Sequence, residues 1–171
     1  AVEALSRITS DPAFAAIEEL LRTSQDEHVQ TAAVRAMARS ESPRAAATVR
    51  ALAERSDVSE RLRIAVISTL GQKGSATTEY WKTLYPRLES DELRGAVVNA
   101  VDRGAPDGMQ FLLAIAGNAQ QPSSVRALAI QRVRQQAPIA DLYRLFESAD
   151  SRSVRQAIVA GLAARREPEA T

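Results

Sequence analysis

Leu93-Arg94-Gly95-Ala96-Val97-Val98-Asn99-Ala100-Val101 is one of five versions of a single segment. The others are Val29-Gln30-Thr31-Ala32-Ala33-Val34-Arg35-Ala36-Met37, Leu62-Arg63-Ile64-Ala65-Val66-Ile67-Ser68-Thr69-Leu70, Val125-Arg126-Ala127-Leu128-Ala129-Ile130-Gln131-Arg132-Val133 and Val154-Arg155-Gln156-Ala157-Ile158-Val159-Ala160-Gly161-Leu162. Successive copies start 33, 31, 32 and 29 residues apart. A period of about thirty residues marks stacked supersecondary units that share one continuous core. Counting the first residue as 0, every copy has apolar residues at positions 0, 3, 4, 5 and 8. That is the stripe of a helix with about 3.6 residues per turn, widened because it is covered on more than one side.

Each copy follows a second amphipathic stretch that carries a start signal. Asp11-Pro12 opens one, with Phe14, Ile17, Leu20 and Leu21 on its face. Ser42-Pro43 opens the next, with Val49 and Leu52. Thr77-Thr78-Glu79 precedes Trp81, Leu84, Tyr85 and Leu88; Pro106-Asp107 precedes Phe111, Leu112 and Ile115; Pro138 precedes Ile139, Leu142, Leu145 and Phe146. Pro in a first helical turn sacrifices no hydrogen bond, and Ser, Thr or Asp there caps free N–H groups. Gly71, Gly74 and Gly104 follow second helices, where left-handed caps are expected. The chain thus reads as a single all-α array over 1–171, with helix pairs at 11–39, 42–72, 76–103, 106–136 and 138–165. Partial repeats are expected at both ends: Leu5 and Ile8 suit a preceding second helix (1–9), and Glu167-Pro168-Glu169 suits the start of a further first helix (167–171). A longer parent array and a trimmed start before Ala1 are the corresponding expectations.

Composition narrows the function classes. Hydrophobic residues make up 45% of the 171, aromatic residues only 4%, so the core is built of Ala, Leu, Val and Ile. Such residues suit close helix packing better than a deep ligand cavity. The formal net charge of +1 supplies no global field for nucleic acid or membrane. The absence of Cys excludes disulfides, thiolate metal sites and a Cys nucleophile. No apolar run reaches the length of a membrane span, about 18 residues. The compartment, cytoplasmic or exported, stays open.

The pairs Leu62-Arg63, Leu93-Arg94, Val125-Arg126 and Val154-Arg155 resemble the start of the second helix in HEAT repeats, including the bacterial HEAT-like subgroup. The resemblance covers almost the whole chain. It implies a right-handed α-α superhelix, a solenoid of about five helix pairs whose second helices line a concave face. Gln30 departs from the pattern, and of the turn acids only Asp57 is well placed, with Asp26, Asp91 and Asp150 shifted. Pro86 is similar to the family's kinking Pro but lies closer to the second helix. Arg63, Arg94, Arg126 and Arg155 are expected to form a structural ladder. Each can lay its stem on a neighbouring helix and bond an Asp or carbonyl of the adjacent turn.

Rotation by about 100° per residue puts positions 2, 6, 9 and 10 of each second helix away from the core. The expected partner contacts there are Arg35, Arg39, Asn99, Arg103, Gln131 and Arg134. Such a face, basic and rich in amides, suits an extended peptide or an acidic protein patch. The expected function is therefore a non-catalytic protein-interaction scaffold, with no cofactor and no metal. The alternatives are a HEAT-like enzyme or enzyme subunit, of DNA glycosylase or bilin-lyase type, and a structural spacer. A glycosylase would need Asp102 as its carboxylate. Other chemistry is thin: His28 is a lone turn residue, Gly71-Gln72-Lys73-Gly74-Ser75 lacks phosphate-loop order, and Trp81 lies on a core stripe.

Overall fold

The computed structural model describes residues 11–24, 26–40 and 42–165. The partial repeats expected at 1–9 and 167–171 lie outside the described residues. All regular structure among the described residues is helical, and it divides into two compact units, Ala1–Thr77 and Thr78–Thr171.

The first unit contains α1 (Asp11–Thr23), α2 (Glu27–Arg39), α3 (Pro43–Glu54) and α4 (Glu60–Gln72). Helices α1 and α2 pack as one pair, α3 and α4 as the next, and α2 packs on both α3 and α4. The second unit contains α5 (Thr78–Leu84), a 3₁₀ turn (Tyr85–Arg87), α6 (Asp91–Ala100), α7 (Pro106–Gly117), α8 (Ser123–Val133), α9 (Ile139–Ser148) and α10 (Arg152–Ala163). Its second helices α6, α8 and α10 run as one packed row; its first helices α5, α7 and α9 form the other. Each unit is thus a stack of helix pairs, the architecture of an α-solenoid.

The repeated segments supply the spine. Leu62, Leu93, Val125 and Val154, all at position 0, are buried, whereas Val29 is half-buried. Position 5 is fully buried at Val34, Ile67, Val98 and Ile130. Val159 takes the same position on α10 and is 51% exposed, alongside exposed Tyr143 and Phe146 on α9. Burying one such aliphatic side chain contributes about 1.5–3 kcal/mol, so these positions dominate the stacking energy.

Side-chain caps start three of the second helices. Asp26 accepts from the His28 N–H at 2.8 Å, Ser59 from Leu62 at 3.3 Å and Ser90 from Leu93 at 3.2 Å. The Asp or Ser three residues before each of these segments therefore satisfies a free N–H. Pro43 and Pro106 sit in the first turns of α3 and α7. Pro86 lacks an N–H and ends the α-helical pattern, so the chain tightens into the 3₁₀ turn after Leu84. Trp81, Leu84, Tyr85 and Leu88 are all buried across this break. The glycines differ from expectation. Among the described residues only Gly74 has positive φ, at 60°. Gly71 falls inside α4 and Gly104 turns without a left-handed backbone, because the Asp102 carboxylate accepts its N–H at 2.8 Å.

Candidate functional site

The second-helix arginines turn inward to the pair that carries them. Arg63 Nε donates to the Ala53 carbonyl at 3.2 Å, and Arg126 Nε to Ala116 at 3.0 Å. Arg94 Nη2 donates to Leu88 at 2.9 Å, and Arg155 Nε to Ala149 at 3.0 Å. Each acceptor lies at the end of the preceding first helix, where carbonyls lack intrahelical partners. Gln30, the departure from the pattern, plays the same part: its Nε2 donates to the Ser24 carbonyl at 2.9 Å. Arg126 also reaches the following pair, with Nη1 2.6 Å from Asp150 Oδ1. That hydrogen bond, reinforced by backbone N–H groups, holds the Asp150 carboxyl below the usual carboxylate range. Asp57, the best-placed acid by sequence, pairs with Arg55 of its own turn.

Arg126 is only 3% exposed, and its bond to the Ala116 carbonyl is made away from water, whereas Asp150 stands largely in solvent. Replacing it with Ala strands a buried carbonyl and removes the packed stem. Arg126→Ala should destabilise the second unit by about 2–3 kcal/mol, measured by urea unfolding.

The expected contact residues lie on the opposite side of these helices. Arg35 and Arg39 are exposed on α2 in the first unit. In the second unit Asn99 is exposed on α6, Arg103 just beyond it, and Gln131 on α8; Arg134 is half-buried after α8. The wheel misplaces one neighbour: Ala127 at position 2 is buried. None of the four arginines forms an ion pair among the described residues. The acids are engaged elsewhere, as in Arg44–Glu18, Arg61–Glu27, Lys82–Glu79 and Arg144–Asp141.

Arg132 and Arg165 were not legible as part of this face. Arg132 Nη2 donates to the Asn99 carbonyl at 3.1 Å, across to the last turn of α6. Arg165 donates to the Arg134 carbonyl at 2.7 Å and to Ala137 at 2.6 Å. Both are cations set against helix C-terminal carbonyls, a favourable arrangement with the helix dipole. The shared signal is an Arg about a repeat length after the acceptor.

Other features offer less chemistry. A hollow of about 500 Å³ in the first unit is lined by Leu21, Gln30, Leu52, Arg55, Asp57 and Leu62. Arg55 and Asp57 neutralise one another there, and Gln30 is committed to carbonyls. Tyr85 donates to Gln121 Oε1 at 2.9 Å and stacks edge-on with Phe111; burial pushes its hydroxyl up to about 12. It is a structural phenol. Among the described residues no group of three or more His, Asp or Glu is arranged to hold a metal. No helix among them is long and apolar enough to cross a membrane.

The family model for HEAT repeats matches residues 1–71. No curated protein and no solved structure matches the chain. Repeats of this family commonly serve as protein-interaction scaffolds. The matched residues span α1 to α4 but for its last residue, the two pairs whose capping and spine are described above. Over residues 1–71 the chain matches HEAT repeats, and the helix pairs of that stretch are the ones the match covers.

Proposed function

We propose that the chain is a non-catalytic scaffold that binds a protein or peptide through the solvent-facing side of its second helices, the side the sequence assigns to a concave face. One observation carries this reading. Arg35, Arg39, Arg103 and Arg134 have no carboxylate partner among the described residues, while the inward arginines are committed to helix ends. In the second unit Arg103 and Arg134 accompany the exposed amides of Asn99 and Gln131, groups suited to peptide carboxylates and carbonyls, and in the first unit Arg35 and Arg39 offer the same guanidinium chemistry on α2. Its mechanism is rigid presentation: the helix backbones are fixed by the spine, so little order is lost on binding.

A catalytic reading gains less support. Asp102, the acid a glycosylase would require, accepts the N–H of Gly104 in its own turn. His28 has no accompanying cluster of metal-ligand side chains among the described residues.

The test is selection of a random peptide library on the immobilised chain. Peptides that bind the native chain should lose at least tenfold in affinity for the Arg35→Glu/Arg103→Glu double variant, with helicity and melting unchanged. Undiminished binding to that variant would place the contact elsewhere and reject the proposal.

A further inference from the structure

We propose that Arg103 and Arg132 together form a carboxylate receptor, and that the partner presents an acidic peptide segment to it. This rests on the scaffold reading and names the chemistry of its partner. The two guanidinium groups cross between α6 and α8. Arg132 reaches back to the Asn99 carbonyl, and Arg103 reaches forward, with Nη1 3.5 Å from the Arg132 carbonyl. Arg132 is half-buried, and its Nε is the buried side-chain polar atom left without a hydrogen-bond partner among the described residues. An unpaired buried donor is costly to a fold and uncommon. Among the described residues no ion pair neutralises either group. Burial lowers the Arg132 proton affinity, and the neighbouring charge of Arg103 lowers it further.

Two like charges held together in this way have an unmet demand for an anion. A carboxylate seated against their terminal Nη groups removes the repulsion and accepts from planar donors, an arrangement that favours Arg over Lys, while the buried Arg132 Nε does not reach the ligand. The exposed amides of Asn99 and Gln131, at position 6 of adjacent second helices, flank the pair and suit peptide carbonyls. An acidic peptide fits better than nucleic acid. The exposed aromatics Tyr143 and Phe146 are on α9, a first helix, so no stacking platform accompanies the arginines.

The test uses fluorescence anisotropy with a labelled dodecapeptide of alternating Glu and Ala, on the full chain at low salt. The native chain should bind it and ignore the matching Gln-Ala peptide. Arg103→Gln should weaken binding at least tenfold, and Arg103→Lys should recover only part of the loss. Arg132→Gln should weaken it similarly, with circular dichroism confirming the fold. Arg152→Gln removes an equal charge from α10 and should change affinity less than twofold. Loss equal to that of Arg103→Gln would show diffuse attraction and overturn the proposal. So would an Arg132→Gln variant that melts earlier yet binds normally, which would leave only a helix-capping role. Tighter, Arg103-dependent binding of an oligothymidylate of equal charge would also overturn it, in favour of nucleic acid. If the Glu-Ala peptide fails while library-selected peptides still depend on Arg35 and Arg103, the acidic chemistry alone falls and the scaffold reading stands.

Discussion

Gly108→Ala is expected to destabilise the second compact unit by about 3 kcal/mol, the upper part of the usual overpacking range. A Cβ at this position would stand 2.0 Å from the Asp102 carbonyl oxygen and 3.0 Å from its carbon. Those are backbone atoms, so no rotamer change relieves the clash. In an open helix the same exchange gains up to about 1 kcal/mol from reduced backbone entropy. The clash wins because the first turn of α7 lies directly against the loop leaving α6. Gly95→Ala provides the contrast. Its added Cβ would meet only Leu128 Cδ2 at 3.5 Å, an ordinary contact, within α6. It should therefore stabilise by about 0.5–1 kcal/mol. Urea unfolding followed through the single Trp, Trp81 of the same unit, reads both signs. Equal signs would refute the close approach. The loop that Gly108→Ala displaces carries Arg103, so this variant should also weaken acidic-peptide binding.

Trp81→Ala should cost about 3–5 kcal/mol, the range for truncating a large buried aromatic. Trp81 is 1% exposed and meets Tyr80 edge-on at a centroid distance of 5.2 Å. It stands on α5, which has only 7 residues before Pro86 imposes the 3₁₀ turn. A helix that short has no independent stability in water. Its order depends on Trp81, Leu84, Tyr85 and Leu88 being covered. Trp81→Phe keeps most of the buried area and should lose clearly less. Because both variants remove the fluorophore, far-ultraviolet circular dichroism in urea is the appropriate measurement. A loss below about 1 kcal/mol for Trp81→Ala would show that this stripe is not what anchors α5.

These two sites also show where sequence reading succeeds and where it stops. Spacing i, i+3, i+4, i+7 places Trp81, Leu84, Tyr85 and Leu88 in the core because period alone determines which residues share a face. The same logic finds the segments that form α2, α4, α6, α8 and α10. Gly108 is different. Its requirement comes from Asp102, which approaches through tertiary packing, and nothing in the local pattern records that. Gly71 and Gly104 fail for the reverse reason: position after a helix suggests a left-handed cap, but helix continuation and the Asp102 turn bond prevail.

The candidate site was legible in part. Exposure of Arg35, Arg39, Asn99, Arg103 and Gln131 follows from the helical wheel. What the wheel cannot supply is contact between helices. Arg132 sits at position 7, on the flank, and only the stacking of α8 on α6 brings it to Asn99 and Arg103. Similarly, the carbonyls that take up Arg63 and Arg126 belong to first helices whose ends no spacing rule locates.

The claim that outward arginines bind while inward arginines build is tested most directly by nuclear magnetic resonance. The isotopically labelled chain is titrated with a library-selected peptide, and amide and guanidinium shifts are followed. The largest changes should fall on Arg35 and Arg39 of α2, on Asn99 of α6 and Arg103 just beyond it, and on Gln131 of α8 and Arg134 just after it, with the Nε signals of Arg63 and Arg126 unmoved. Changes confined to the first helices α1, α3, α7 and α9 would contradict the account.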